Sequence, residues 1–389
     1  MPKLPPALWT QRADLADLVT CLGAENLRYV GGAVRDTLLG VDVADVDCAT
    51  TLMPDDVMAK LKECGIRSVP TGIEHGTITA VLPQGVVEIT TLRRDVATDG
   101  RRATIAFASE WKDDAARRDF TINALYAHPE TLEISDYFGG LDDLDQRRVR
   151  FIGDARQRIR EDHLRILRYY RFQARFGSIL DDEAEEACAE LAQTLKGLSR
   201  ERVAMELLNL LRLPDPSATL QRMFERGVLP VILSETTEQE LASLDALMVQ
   251  ERANDIQPAA LRRLGALLPP DRKAAEAFGT RLRLSREQRK RLGSIADRGP
   301  EDALSPRALA YRHGKDCAID RLLLIGSDIS ALRDWDIPEF PMKGGEIVQR
   351  GVAAGPEVAR ILQTVQNRWV TENFPDRARV EAILDEELG

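Results

Sequence analysis

Asp45 and Asp47, spaced i, i+2 in ADVD, are the residues in this chain whose types and spacing best suit chemistry. In an extended segment a period of two sends both side chains to one face. Adjacent carboxylates repel each other unless a cation sits between them, and hard oxygen ligands beside a phosphate suit Mg²⁺. An anion site precedes them in the chain. Leu27 to Val30 reads as a short buried strand, Gly31-Gly32 as a tight turn and Ala33 to Leu39 as a helix. The glycines let backbone N–H groups approach phosphate oxygens, the helix N-terminus adds partial positive charge, and Arg35 lies within reach to donate more. Alone, a Gly-Gly is a turn and a D-x-D a solvated strand end. Here GGAVRD, LLG and DVD follow one another within seventeen residues, and the conjunction points to nucleotidyl transfer.

GGAVRDTLLG followed by DVDCAT resembles the head domain of the bacterial class II CCA-adding tRNA nucleotidyltransferase and poly(A) polymerase family. Further motifs extend the resemblance over about the first 210 residues. It implies an α+β chain: an N-terminal nucleotidyltransferase-type mixed sheet with helices, then an all-α C-terminal region. The expected divisions are a head over 1–150, a neck with a nucleobase-reading helix over 151–212, a body over 213–300 and a tRNA-contacting tail over 301–389. It also implies an enzyme that adds C, C and A to the tRNA 3′ end from CTP and ATP. Asp45 and Asp47 would then be the catalytic metal ligands for Mg²⁺, and Gly31, Gly32, Arg35 and Asp36 would bind nucleotide. In RRDFTINALY (117–126) the family assigns ribose and phosphate recognition, so Arg118 is expected on a triphosphate oxygen and Asp119 on a ribose hydroxyl. Asn123 caps or braces that site. Glu88, in VEITTLRR, would lie on the strand beside the Asp pair; it is either a third carboxylate near the metal or an edge-exposed glutamate.

Base choice points to EDHLRILRYYR (161–171). On a continuous helix Asp162, Arg165 and Arg168 share a face at i, i+3, i+6, with Arg171 a turn further on. A carboxylate accepts and a guanidinium donates. Cytosine and adenine present an amine beside a ring acceptor, whereas guanine and uracil present a carbonyl beside a ring N–H. One fixed Asp162/Arg165 pair therefore accepts CTP and ATP and opposes GTP and UTP. The alternative is a surface salt bridge. LSRERVAMELLNLL (198–211), with Ser199 at the N-cap and Arg202 in the first turn, resembles the family motif that supports this helix.

Other elements must position these residues. Residues 7–23 and Thr51 to Cys64 read as helices, the second with Pro54, Asp55 and Asp56 suited to its first turn. Ser68-Val69, Gly76 to Leu82 and Val86 to Leu92 read as strands, with turns at Pro70-Thr71-Gly72 and Pro83-Gln84-Gly85. Arg93 to Ala108, interrupted by Asp99-Gly100-Arg101-Arg102, reads as a mobile loop between two sides of the nucleotide pocket. Helices follow from VRFIGD (149–154) onward, and Trp369 and Tyr311 suit either a core or an RNA contact.

Composition bounds the rest. At 389 residues the chain is long enough for two to four domains. It has no apolar run of about eighteen residues, and MPKLPPALWT lacks a signal-peptide h-region. A cytoplasmic protein with no membrane association is expected, and nothing marks a stable protein partner. Five scattered cysteines without C-x-x-C spacing read as buried or free thiols, not a zinc site or disulfide framework. Four histidines with no H-E-x-x-H argue against an appended phosphohydrolase domain. The net charge of −10 opposes bulk nucleic-acid affinity, but Arg147 to Phe176 holds ten arginines against three acidic residues and Arg281 to Arg291 six basic residues against one. Such segments fit a salt-sensitive RNA grip, or solvated helix faces.

Two related activities compete. Tail-adding relatives carry a G-R-R-F-like segment where this chain has PTGIEHGT, which argues against a poly(A) or A-only polymerase. The Asp99 to Arg102 segment argues against a CC-only enzyme. A non-catalytic RNA-binding protein retaining the fold is the rival of another class, and the intact Asp45/Asp47 pair opposes it.

Overall fold

Val30, at the end of β1 (Leu27–Val30), lies opposite Asp47 of β2 (Val46–Thr50), and Asp47 lies opposite Glu88 of β5 (Gly85–Thr91). This row crosses the middle of a seven-stranded mixed sheet of order β3-β4-β5-β2-β1-β8-β9. Its other strands are β3 (Arg67–Gly72), β4 (Thr77–Leu82), β8 (Leu125–Ala127) and β9 (Ile134–Asp136). β2 and β5 are parallel and every other neighbouring pair is antiparallel. The computed structural model describes residues 2–99 and 102–389.

Alternation accounts for the sheet. Ile78 and Ala80 of β4, and Val87 and Ile89 of β5, are fully buried on one face. β3 departs from expectation, because it runs through Pro70 to Gly72 instead of turning there. It is an exposed edge strand whose register shifts between Val69 and Gly72, and an edge tolerates the missing N–H of proline.

The expected mobile loop at Arg93 to Ala108 is instead an antiparallel ribbon of β6 (Arg93–Asp99) and β7 (Arg102–Phe107). Gly100 and Arg101, at the centre of the expected turn, lie outside the described residues. The ribbon is tied at its base: Ala108 N–H donates to Leu92 C=O, Arg93 N–H to Asp114 and the Arg93 guanidinium to His75 C=O. Its β-branched Val96, Thr98, Thr104 and Ile105 favour strand over coil.

Around the sheet lie α1 (Ala13–Leu22), α2 (Gly32–Leu38), α3 (Pro54–Glu63), α4 (Trp111–Ala116) and α5 (Gly140–Asp145). α6 (Ala155–Glu161), α7 (Arg165–Phe176), α8 (Asp182–Glu190) and α9 (Arg200–Leu211) follow. The cysteine reading needs correction: Cys21 at the end of α1 and Cys64 just after α3 are joined in a disulfide, while Cys48, Cys188 and Cys317 are buried free thiols. Sequence spacing could not reveal that α1 and α3 lie side by side.

The chain divides into two compact units. One comprises Met1–Glu206 with Arg222–Ile232, so it holds the expected head and the expected neck up to residue 206. The other comprises Leu207–Gln221 with Leu233–Gly389 and is helical. In the second unit Trp369 is buried with Ile361, Val365 and Ile383, and Tyr311 meets its ring edge-on at 5.5 Å, so both are core. Arg281 forks onto Glu235 and Arg291 onto Asp320. Lys290 instead lines a cavity of about 510 Å³ with Arg272, Arg312, His313 and Lys315.

Candidate active site

The glycine turn stands at the head of the strand row. Gly31 has φ +68°, a conformation that L side chains rarely adopt, and a Cβ there would sit 3.4 Å from the Arg118 guanidinium. Gly32 begins α2, and Gly31 N–H donates to Leu125 C=O, tying the turn to the start of β8.

Arg118 faces this turn. Its Nε donates to the Tyr126 hydroxyl at 3.0 Å and it pairs with Asp114 at 3.2 Å. Burial raises the Asp114 carboxyl, but Arg118, Arg117 and Tyr126 outweigh it and hold that carboxyl at about 2. Asp114 and Tyr126 were not among the expected site residues. The i, i+4 spacing of Asp114 and Arg118 was a usable signal for the first.

Asp47 is the half-buried second residue of β2, and Asp45 directly precedes the strand. Burial raises the Asp47 carboxyl, Glu88 raises it further, Arg118 lowers it and Asp45 raises it again. Glu88 is exposed on the neighbouring strand, opposite Asp47. The turn meets Arg118, and Glu88, Arg118 and Asp45 all act on Asp47.

Arg35 and Asp36, expected to bind nucleotide, are engaged by neighbouring side chains. Arg35 is buried, donates to Asp36 and Asn123 at 2.8 and 2.5 Å, and stacks on Phe176 at 4.4 Å. Asp36 is clamped between Arg35 and Arg175. These are bracing contacts from α2 to α7.

Asp119 is also fully engaged. Its Oδ1 accepts from Phe120 N–H and Asn123 Nδ2, and its Oδ2 accepts two bonds from Arg168. Four donors fill the roughly four lone-pair positions of a carboxylate, leaving none for a ribose hydroxyl. Burial raises the Asp119 carboxyl, but Arg168, with the Asn123 and Phe120 hydrogen bonds, overrides that and holds it at about 2.

The expected continuous face at 161–171 is broken. α6 ends at Glu161, Asp162 has extended backbone (φ −149°, ψ 104°), and α7 starts at Arg165. Asp162 accepts from Leu164 N–H with Oδ1 and from Arg202 of α9 with Oδ2, at 3.1 and 2.7 Å. A carboxylate able to cap the following backbone competes with the helix at that position. Arg165 is held by Glu161 at 2.6 Å and by the carbonyls of Arg158 and Arg117. Arg168 binds Asp119, and Arg171 binds Glu206 at 2.6 Å while stacking on Phe172. The carbonyls of Arg117 and Arg118 both accept from Arg158. Residues 117–119 therefore touch both the Gly31/Asp114/Tyr126 cluster and the Asp162/Arg165 cluster. Glu161, Arg202 and Glu206 were missed as partners because two of the three come from about 40 residues away.

The arginine-rich first segment is mostly satisfied internally. Eight of its ten arginines form ion pairs, so they hold the fold together before they are available to RNA.

A model of the poly A polymerase head domain matches residues 27–150, and a model described as a probable RNA and SrmB-binding site of polymerase A matches 179–240. The mitochondrial CCA tRNA nucleotidyltransferase 1 of Mus musculus is 35% identical over 386 residues, 92% of this chain and 87% of that one. The CCA-adding enzyme of Streptococcus sanguinis is 32% identical over 403 residues, covering 98% of each. The crystal structure of the Bacillus stearothermophilus CCA-adding enzyme in complex with CTP has the same fold, with a TM-score of 0.73 and 24% identity over 97% of this chain and 98% of that one. With head-domain motifs in place and homology running nearly end to end, the chain belongs to the CCA tRNA nucleotidyltransferase and poly(A) polymerase family.

Proposed function

We propose that this protein adds C, C and A to the 3′ end of tRNA, using CTP and ATP and releasing pyrophosphate. The observation that carries this reading is the row Val30–Asp47–Glu88, with Gly31 and Arg118 at its end. It sets an anion-binding turn beside clustered carboxylates. The tRNA 3′ oxygen attacks the α-phosphorus, the bond from that phosphorus to the bridging oxygen breaks, and pyrophosphate leaves. No covalent enzyme intermediate is needed.

The family uses a divalent metal, and we assign Mg²⁺. The donors fit: Asp45 and Asp47 offer hard oxygens, and a bound cation relieves the burial and the carboxylate repulsion that raise Asp47. Among the described residues no three acidic, histidine or cysteine side chains form a complete cage. That suits an ion held by one or two carboxylates together with substrate phosphates. When bound, it neutralises charge at the α-phosphate and lowers the pKa of the attacking hydroxyl. Glu88 is adjacent and available as a further ligand.

The chain's own residues do the rest. Gly31 and Gly32 let backbone N–H groups reach the triphosphate, and Arg118 donates to it. Asp162 and Arg165 read the base edge, and Arg168, Arg171, Asp119, Arg35 and Asp36 keep that reader in place. The second unit, with Lys290 and Arg312 at its basic cavity, contacts tRNA. No helix among the described residues is long and apolar enough to cross a membrane, and we assign the cytoplasm as the location.

Product analysis tests this reading. On tRNA lacking its end, CTP alone should add two residues, ATP alone none, and the mixture three. Long A tails or arrest after CC would move the assignment to a relative, and no incorporation at all would support the binding-protein alternative.

A further inference from the structure

We propose that Tyr126 is a positioning residue for the triphosphate, its hydroxyl holding the Arg118 guanidinium open toward Gly31. The inference rests on the reading of Arg118 as a triphosphate donor.

The sheet row that carries Asp47 continues in the other direction. Tyr126 of β8 is the register partner of Val30, and Val30 is the register partner of Asp47. Partners directly opposite in antiparallel pairs share a face, so Tyr126 and Asp47 stand on one face two strand spacings apart, about 10 Å. Arg118 does not belong to this sheet. It lies in the bend that follows α4, where the backbone alone does not fix a long side chain. Its Nε donates to the Tyr126 hydroxyl at 3.0 Å and its Nη2 to Asp114 at 3.2 Å, while its Nη1 is the atom that a Cβ on Gly31 would meet at 3.4 Å. Tyr126 thus ties the guanidinium to the strand row that also carries Asp47, and a group held from a strand is placed more precisely than one held from a loop.

The hydroxyl has a single proton, and Asp114 Oδ2 accepts it at 2.6 Å. Burial pushes the Tyr126 pKa up, so the proton stays in place. Toward Arg118 the hydroxyl can therefore only accept. It stands between a guanidinium and a carboxylate that would otherwise close on each other, as Arg117 has already done, with Nε and Nη2 both 2.7 Å from Asp114 Oδ1. Without the hydroxyl, Oδ2 lacks a donor and Nε lacks an acceptor, and the two satisfy each other. Arg118 then folds onto Asp114 and Nη1 leaves the glycine turn. The effect falls on the phosphates of every nucleotide alike, because Asp162 and Arg165 are untouched.

The test compares Tyr126→Phe, Arg118→Met and the double variant on tRNA lacking its end. Each is assayed for kcat and KM with CTP, ATP and UTP, and for inhibition by inorganic pyrophosphate, alongside thermal unfolding. Phenylalanine keeps the ring that packs against Trp111 and Tyr137. KM and inhibition constants do not depend on the active fraction, so partial loss of folded protein cannot imitate the result. Tyr126→Phe is expected to raise KM for CTP and ATP, and the pyrophosphate inhibition constant, by one common factor of about two to ten, the range of a neutral hydrogen bond. CTP-over-UTP discrimination should stay at the wild-type value, and the double variant should be no worse than Arg118→Met. Unchanged constants in Tyr126→Phe, a raised nucleotide KM with unchanged pyrophosphate inhibition, or a further loss in the double variant would each overturn the proposal. Wild-type pyrophosphate inhibition in Arg118→Met would instead overturn the triphosphate reading beneath it.

Discussion

Asp47 and Glu88 are register partners across the parallel pair β2–β5, and Glu88 adds to burial in raising the Asp47 carboxyl. A cation between such groups is stabilising, and its ligands are hard to replace. Asp45→Ala or Asp47→Ala should therefore lower both CMP and AMP incorporation by about a hundredfold or more, the scale of losing a preorganised electrostatic group. Circular dichroism should show the fold retained. Near wild-type CMP addition in either variant would remove these residues from the metal site.

Asp162→Ala should degrade selectivity more than folding. A charged hydrogen bond to a base edge contributes about 1.5 to 3 kcal/mol, roughly one to two decades of discrimination. Misincorporation of UTP and GTP measures this directly, and unaltered fidelity would place base recognition elsewhere.

Asp119 links pH to stability. Its folded-state carboxyl is held at about 2 by Arg168 and two further donors, below the ordinary value near 4. A depressed pKa gives stability that is present above the unfolded value and lost as pH falls through the folded one, here about 2 kcal/mol. Asp119→Asn should lower unfolding free energy by that amount at neutral pH, and the gap should narrow from about pH 4 downwards. Parallel curves across that range would show that the Arg168 fork is not formed in solution.

Glu185 of α8 has the opposite sign. It is buried, neither carboxylate oxygen meets hydrogen-bond geometry, and the nearest guanidinium, Arg226, is 3.8 Å away. Burial raises its pKa, so ionisation opposes folding increasingly as pH rises above the ordinary glutamate value. Glu185→Gln should raise Tm at pH 8, with little effect at pH 4. A lower Tm at pH 8 would show that the charge is satisfied.

The β6–β7 ribbon carries a prediction about C against A. CTP and ATP offer similar edges but differ in size, so one reader serves both only if something repositions it. The ribbon is anchored at Leu92, Asp114 and His75, and Asp114 holds Arg118. Shortening it while keeping its ends should leave two C additions intact and stall before the terminal A. Normal CCA completion, or equal loss of C and A addition, would make the ribbon passive.

Much of the site is legible in the chain because its parts are local. Gly31-Gly32, the strand before them and the Asp45/Asp47 spacing lie within about twenty residues of one another, where turn chemistry and pleat period act directly. The strand bearing Glu88 was readable from its alternation, since β-branched runs bounded by turns specify their own direction. Tertiary structure decided which charges are free. Arg35, Asp119 and Arg171 looked like ligand-binding groups, but Asp36 with Asn123, Arg168, and Glu206 engage them. Arg202 looked like part of a supporting helix, yet it reaches Asp162 across 40 residues. A side chain's type and neighbours in sequence define what it can bond, whereas its actual partner depends on which elements the fold brings alongside. For long, charged side chains that partner is usually distant in the chain, so ten arginines that read as an RNA surface in sequence include eight that form an ion-pair framework in space.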